Sequence, residues 1–282
     1  MKKTMFLISA LACIVSCDKG QIPSGEPEEI AFTINDSFLA DVSTKASEVT
    51  GAGLTRFYAA ATSGLSSESV LWQGKEFSLQ AGGSKYTCSN VYWPGAECSI
   101  HFYASNLNPS VASSGAVTVS ATNTTDVICA NNSTPVWKSV TPLVFEHIFA
   151  RVGKVTVYAP SGYNGNSISV KIRPLTGGTY NLKTKDWTDL TTASSDVIIT
   201  NRFDGYGTDP DLYLVPGDYT VTATYTISKG TYSQEYTKTA TVYLAPGKKN
   251  LISATLPAGD AADLEFTVTV KAWEENNITA TF

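Results

Sequence analysis

The sequence predicts an all-β protein built from sandwich- or barrel-like layers. Three observations predict it. Aromatic residues make up 11% of the chain, with 14 Tyr, and such residues favour pleated, half-buried surfaces. Short runs of alternating apolar and polar residues recur throughout, separated by clusters of Gly, Asn, Ser and Pro, the pattern of sandwiches and barrels. One long run, Tyr219-Thr220-Val221-Thr222-Ala223-Thr224-Tyr225-Thr226-Ile227, alternates without a break and meets a turn at Ser228-Lys229-Gly230. The length of 282 residues suits one large or two ordinary domains. With 43% hydrophobic and 16% charged residues, the chain has enough apolar material for a packed core.

The chain opens with Lys2 and Lys3, then an uncharged apolar stretch over 5–15. That stretch is shorter than the roughly 20 apolar residues a spanning helix needs, so it is set apart from the fold as a targeting segment. It ends in Ile14-Val15-Ser16-Cys17, which resembles a bacterial lipobox. Residues 1–16 are therefore expected to be a lipoprotein signal peptide and Cys17 the lipidation site. Acyl chains there, palmitate among them, would hold the precursor in the outer membrane, each buried CH₂ adding about 0.8 kcal/mol. Residues 17–29 carry Pro23, Gly25 and Pro27 and read as a flexible tether.

The first strand of the fold follows, with Ile30, Phe32 and Ile34 at alternate positions. A polar stretch around Lys45 and Ala46, with Gly51 and Gly53 beyond it, reads as an exposed loop. Strands are then expected at 54–62, 70–79, 85–91, 98–104, 116–121 and 126–130. In the fourth of these Cys98, Ile100, Phe102 and Ala104 share one face, and Ser99, His101 and Tyr103 the other. The segment from Pro142 to Val152 has an apolar spacing that fits either a strand or a helical turn, and the two stay open. The passage between halves is placed near 140, giving domains 30–140 and 141–282. The second half continues with strands at 154–159, 167–173, 178–182, 196–200, 211–215, 219–227 and 232–244. Three last strands at 250–256, 264–273 and 278–282 close the chain.

The chemistry-bearing residues are sparse. Lys and Arg number 20 against 25 Asp and Glu, a net charge of −5, which argues against a nucleic-acid partner. The only His residues, His101 and His147, have no nucleophile motif beside them and read as structural. The acidic segment Asp204-Gly205-Tyr206-Gly207-Thr208-Asp209-Pro210-Asp211 lacks the spacing of a calcium loop and reads as a turn. Beyond Cys17 the mature chain keeps Cys88, Cys98 and Cys129, an odd number, so at least one thiol stays unpaired. Cys88 and Cys98 are near enough in sequence to close a hairpin, but that pairing is not favoured. No enzyme, metal or cofactor is expected.

Several pieces together carry a resemblance. They are the lipobox Cys17, Ile30-Ala31-Phe32 followed by Thr44-Lys45-Ala46, and Tyr92-Trp93-Pro94-Gly95 before Ser99-Ile100-His101-Phe102-Tyr103-Ala104. Further on come Pro142-Leu143-Val144-Phe145-Glu146-His147, Leu214-Val215-Pro216-Gly217-Asp218-Tyr219 and a late strand ending at Trp273. In this order they resemble the fimbrillin family of Bacteroidales, the subunits of type V pili, over most of residues 17–282. The resemblance implies two tandem β-sandwich-like domains of transthyretin-like, Greek-key type. It also implies a lipoprotein precursor carried to the cell surface and a subunit that supports adhesion. Its partners are other pilin subunits, in a homo- or heteropolymer, and a host or bacterial surface ligand.

In such proteins a trypsin-like protease cuts after a basic residue beyond the first strand. That strand leaves, and a neighbour's terminal strand replaces it. The resemblance puts the cut at Lys45-Ala46, makes Ile30, Phe32 and Ile34 the displaced strand, and offers 264–273 and 278–282 as donors. The family's best-known site uses Arg where this chain has Lys45. An uncut copy would keep its lipid and serve as an anchor subunit. The rival reading is a surface lipoprotein that binds glycans, which needs a cluster of exposed aromatics and is favoured by solvent exposure of two or more neighbouring Trp. On the processing reading, N-terminal sequencing of pilus-associated protein is expected to begin at Ala46. Material beginning only at lipidated Cys17 would remove Lys45 from the account.

Overall fold

A computed structural model of the chain describes residues 27–34, 54–63, 69–94, 98–132, 134–208, 210–258 and 263–272. Among them every regular element is a strand. The first half holds β1 (Glu29–Ile34), β2 (Arg56–Ser63), β3 (Ser69–Leu79), β4 (Lys85–Tyr92) and β5 (Ile100–Ser105). It continues with β6 (Ser110–Val111), β7 (Val117–Thr122), β8 (Ile128–Asn131), β9 (Thr141–Leu143) and β10 (Glu146–His147). Eight of these form one sheet in the order β10-β8-β5-β2-β3-β4-β1-β9.

The edges of that sheet, β9 and β10, are separated in sequence by Val144 and Phe145 alone. Three Cα steps of about 3.8 Å each hold the two edges within roughly 12 Å. The sheet must therefore roll up until its edges nearly meet. Its concave side encloses a core that includes Phe57, Ala59 and Ala61 of β2, Ile100, Phe102 and Ala104 of β5, and Ile128 and Ala130 of β8. Phe145 is buried at the seam, its ring 5.4 Å from that of Phe57. The segment that sequence spacing leaves between strand and helix is thus two short strands and a crossing between edges. Pro142 lies in β9, which has one strand neighbour, where a missing N–H is tolerated.

The second half holds β11 (Ala150–Tyr158), β12 (Asn164–Ile172), β13 (Leu175–Asn181), β14 (Trp187–Thr192), β15 (Val197–Thr200) and β16 (Asp204–Thr208). After them come β17 (Leu212–Leu214), β18 (Gly217–Lys229), β19 (Tyr232–Leu244), β20 (Lys248–Thr255) and β21 (Thr267–Ala272). One sheet runs β16-β11-β20-β21, with β17 also on β11, and another runs β15-β12-β18-β19. The two share a core to which β18 contributes Tyr219, Val221, Ala223, Tyr225 and Ile227, the row its alternation marks. Gly230 turns the hairpin at φ +60°, a conformation that costs a residue without Cβ little. Tyr219 donates its hydroxyl to the Val215 carbonyl at 2.6 Å. That bond fastens the Pro216-Gly217 corner in the manner of a tyrosine corner.

The halves are not independent. β7 of the first pairs with β13 of the second in a sheet ordered β14-β13-β7-β6. Behind it lies a third core of Ala60, Tyr103, Val119, Cys129, Phe149 and Tyr180, among others. Ala60, Tyr103 and Cys129 come from the convex side of the rolled sheet, so β2, β5 and β8 are buried on both faces. The sequence places the passage between halves near 140. β9 and β10 still pair with first-half strands, and the sheet of the second half begins at Ala150. Three strands escape sequence reading. β6 has two residues, β14 is exposed along most of its length, and β16 is Asp-Gly-Tyr-Gly-Thr, a turn by composition.

Gly177 makes the joint between the halves. A Cβ there would stand 2.3 Å from the Ala121 carbonyl oxygen, so β13 reaches β7 only because Gly177 has none. G177A is expected to cost about 1–3 kcal/mol, read as a lower urea midpoint.

Candidate functional site

The first strand is the element whose surroundings differ most from ordinary sheet structure. β1 lies between β4, antiparallel, and β9, parallel. Phe32 stands opposite Tyr86 on one side and Thr141 on the other. The Trp93 N–H donates to the Glu28 carbonyl at 3.0 Å and extends the ladder at its start. Ile30 and Phe32 are fully buried and Ile34 is 7% exposed. The ring of Phe32 meets Phe77 at 4.8 Å, Phe102 at 4.9 Å and Phe57 at 5.8 Å, each edge-on. Edge-to-face pairs are worth about 0.5–1.5 kcal/mol each beyond the area they bury.

Sequence alternation marks Ile30, Phe32 and Ile34 as one face, and the structure sets all three in one core. It does not announce β9. A parallel neighbour more than a hundred residues away leaves no local signal, and the partner strand is three residues long. Cys17, Lys45, Ala46 and residues 278–282 lie outside the described residues. In sequence Lys45 stands midway between the end of β1 and the start of β2. Of the stretch 264–273, residues 267–272 form β21, paired antiparallel with β20 of the same chain.

Two polar pairs among the described residues brace the fold. His147 Nδ1 lies 2.9 Å from Asp126 Oδ1 with both side chains buried. Arg151 contacts Asp211 Oδ1 through Nε at 2.8 Å and Nη2 at 2.7 Å. The carboxylate that ends the acidic segment is thereby committed to a guanidinium. Among the described residues no group of three or more His, Cys, Asp or Glu is placed to hold a metal ion. Among the described residues no disulfide joins Cys88, Cys98 or Cys129. Burial pushes the Cys129 thiol up to about 12. Trp93 is buried, while Trp72, Trp137 and Trp187 are half-buried in aromatic contacts. None of these four forms an open platform for a sugar ring.

The model of the fimbrillin-like family matches residues 44–273. This chain belongs to that family, which makes it a structural, non-enzymatic protein of the cell surface. None of the curated proteins matches it. A solved fimbrial protein from Bacteroides vulgatus is similar in fold, with a TM-score of 0.55 and 14% identity, over 87% of this chain and 99% of that one. A proposed cell adhesion protein from Parabacteroides distasonis gives 0.54 and 10%, over 88% and 97%.

Burial raises Cys129, Tyr86, Tyr180 and Tyr219 alike. Each then holds its proton more tightly folded than unfolded, so stability is intact at neutral pH and is lost as alkali ionises the unfolded chain first. For Cys129 the window runs from its ordinary value of 9.0 to about 12. The urea midpoint is expected to stay level up to the start of that window and to fall through it.

Proposed function

We propose that this chain is a structural subunit of a cell-surface fimbria supporting adhesion. In this reading it is exported as a lipoprotein on Cys17, cut between Lys45 and Ala46, and polymerised by strand exchange. β1 leaves after the cut, and a terminal strand of a neighbouring subunit takes its place beside β4 and β9. The fimbrial and adhesion names of its structural relatives fit this reading.

The seat of β1 supports it most directly. Burying Ile30, Phe32 and Ile34 is worth roughly 1.5–3 kcal/mol each. Against a usual total stability of about 5–15 kcal/mol, a copy that lost all three would be close to unfolding. An open slot of that depth favours refilling by any strand with matching alternation. The cut lies in the connection between β1 and β2, so it would turn β1 into a separate segment held by non-covalent contacts alone, without severing anything from β2 onwards. Of the two donor stretches, 264–273 would first have to leave β20, on which β21 pairs along one side only. Residues 278–282 lie beyond that pairing.

Electron microscopy after limited trypsin treatment tests the proposal. Wild-type protein is expected to pass from monomers to filaments, and K45A to stay monomeric under the same treatment. Trimmed wild-type protein that remained monomeric at high concentration would overturn it.

A further inference from the structure

The inner face of one second-half sheet runs on past the sheet that covers it. In the covering sheet, β11 stops at Tyr158 and β20 at Thr255, and these two residues stand opposite each other. The Tyr225 hydroxyl of β18 donates to the Pro257 carbonyl at 2.8 Å, just beyond the end of β20. β18 and β19 continue from there. Lys229 lies four residues past Tyr225, at the end of the same inward row, and pairs with Tyr232 of β19. Tyr163, immediately before β12, comes up beside them. Together they make a ledge beyond the closed core.

The ledge is aromatic and open. The rings of Tyr163 and Tyr232 meet edge-on, with centroids 6.2 Å apart and planes at 73°, so they form an inside corner. Tyr232 is 41% exposed and Tyr163 is half-buried. Tyr232 is braced from behind. Its hydroxyl donates to Gln234 Oε1 at 3.1 Å and accepts from the hydroxyl of Tyr236, whose ring stacks on the buried Tyr225. Phe203 adds a third, half-buried ring against Gly165, where a Cβ would stand 2.5 Å from it. A platform held in place before a ligand arrives loses less freedom on binding.

Lys229 supplies the charge. It is exposed, and its Nζ stands 5.3 Å from the centre of the Tyr163 ring. Among the described residues it forms no ion pair. A ring face occupies one side of an ammonium that carries three donors. We propose that this ledge binds a carboxylate-bearing sugar. The apolar C–H face of the pyranose lies on Tyr232, whose ring is apolar on its face and polar at its tip. The carboxylate takes a charge-assisted bond from Lys229, and the Gln234 amide N–H donates to a sugar hydroxyl. An acidic peptide would use Lys229 and leave the corner of rings empty. Ends of sandwiches, where loops and hairpin tips gather, are frequent seats of recognition. The inference rests on the adhesive part of the proposed function and gives it a ligand class; exchange of β1 takes no part in it.

Saturation-transfer NMR on the full-length, uncut chain tests this, with sialyllactose as the probe and lactose as its uncharged counterpart. Transfer to the protons of the acidic ring is expected, with a dissociation constant of roughly 1 mM or tighter, and lactose should bind at least about tenfold more weakly. Y232A and K229Q should each weaken sialyllactose binding at least about fivefold. Near-UV circular dichroism checks the fold, and K229Q, a change to an exposed side chain, carries the test if Y232A loses that signal. Binding is read on uncut protein, so a lack of filaments after trypsin would count against strand exchange and not against this site. No transfer at about 10 mM sialyllactose, lactose binding as tightly, or a folded Y232A or K229Q that binds as wild type does would overturn the assignment.

Discussion

The seating of Phe32 among three other phenylalanines is the contact on which the first half depends. Phe57, Phe77 and Phe102 come from β2, β3 and β5. Phe32 enters their space from β1, on the far side of β4 in the sheet order. A single side chain thus ties four strands across the inside of the roll. Because the sheet curls until β9 and β10 nearly meet, β1 also stands next to the seam. Its removal would separate β4 from β9 and leave β9 without a strand neighbour among the described residues.

Burial is divided so that this dependence stays local. β1 contributes Ile30, Phe32 and Ile34 to the core inside the roll and nothing to the core between the halves. The latter is lined by the convex faces of β2, β5 and β8 together with β7 and β13. Gly177 brings β13 against β7, and Lys185 reaches Glu146 across the halves at 2.6 Å. That exposed pair adds little by itself, so the joint rests on apolar packing. Damage at β1 therefore opens one core and leaves the inter-half packing with its own residues.

A protein made largely of strands must also govern its edges. Short strands, Pro142 in β9 and a bulged register between β13 and β14 leave most edges poor templates. β19 has none of these features: it runs 13 residues in unbroken register with β18.

Much of this was legible in order along the chain. The all-β class, most strands, the buried row of β18 and the shared face of Ile30, Phe32 and Ile34 follow from a period of two. That period is a property of neighbouring residues. What the chain order could not supply was who pairs with whom. The parallel seat of β1 on β9 and the β7–β13 joint each depend on residues far apart in sequence. The Asp-Gly-Tyr-Gly-Thr of β16 reads as a turn until β11 stands beside it. Local alternation determines that a strand has a wet and a dry face; only the folded chain decides which neighbour each edge meets, because backbone hydrogen bonding between strands carries no record of sequence distance.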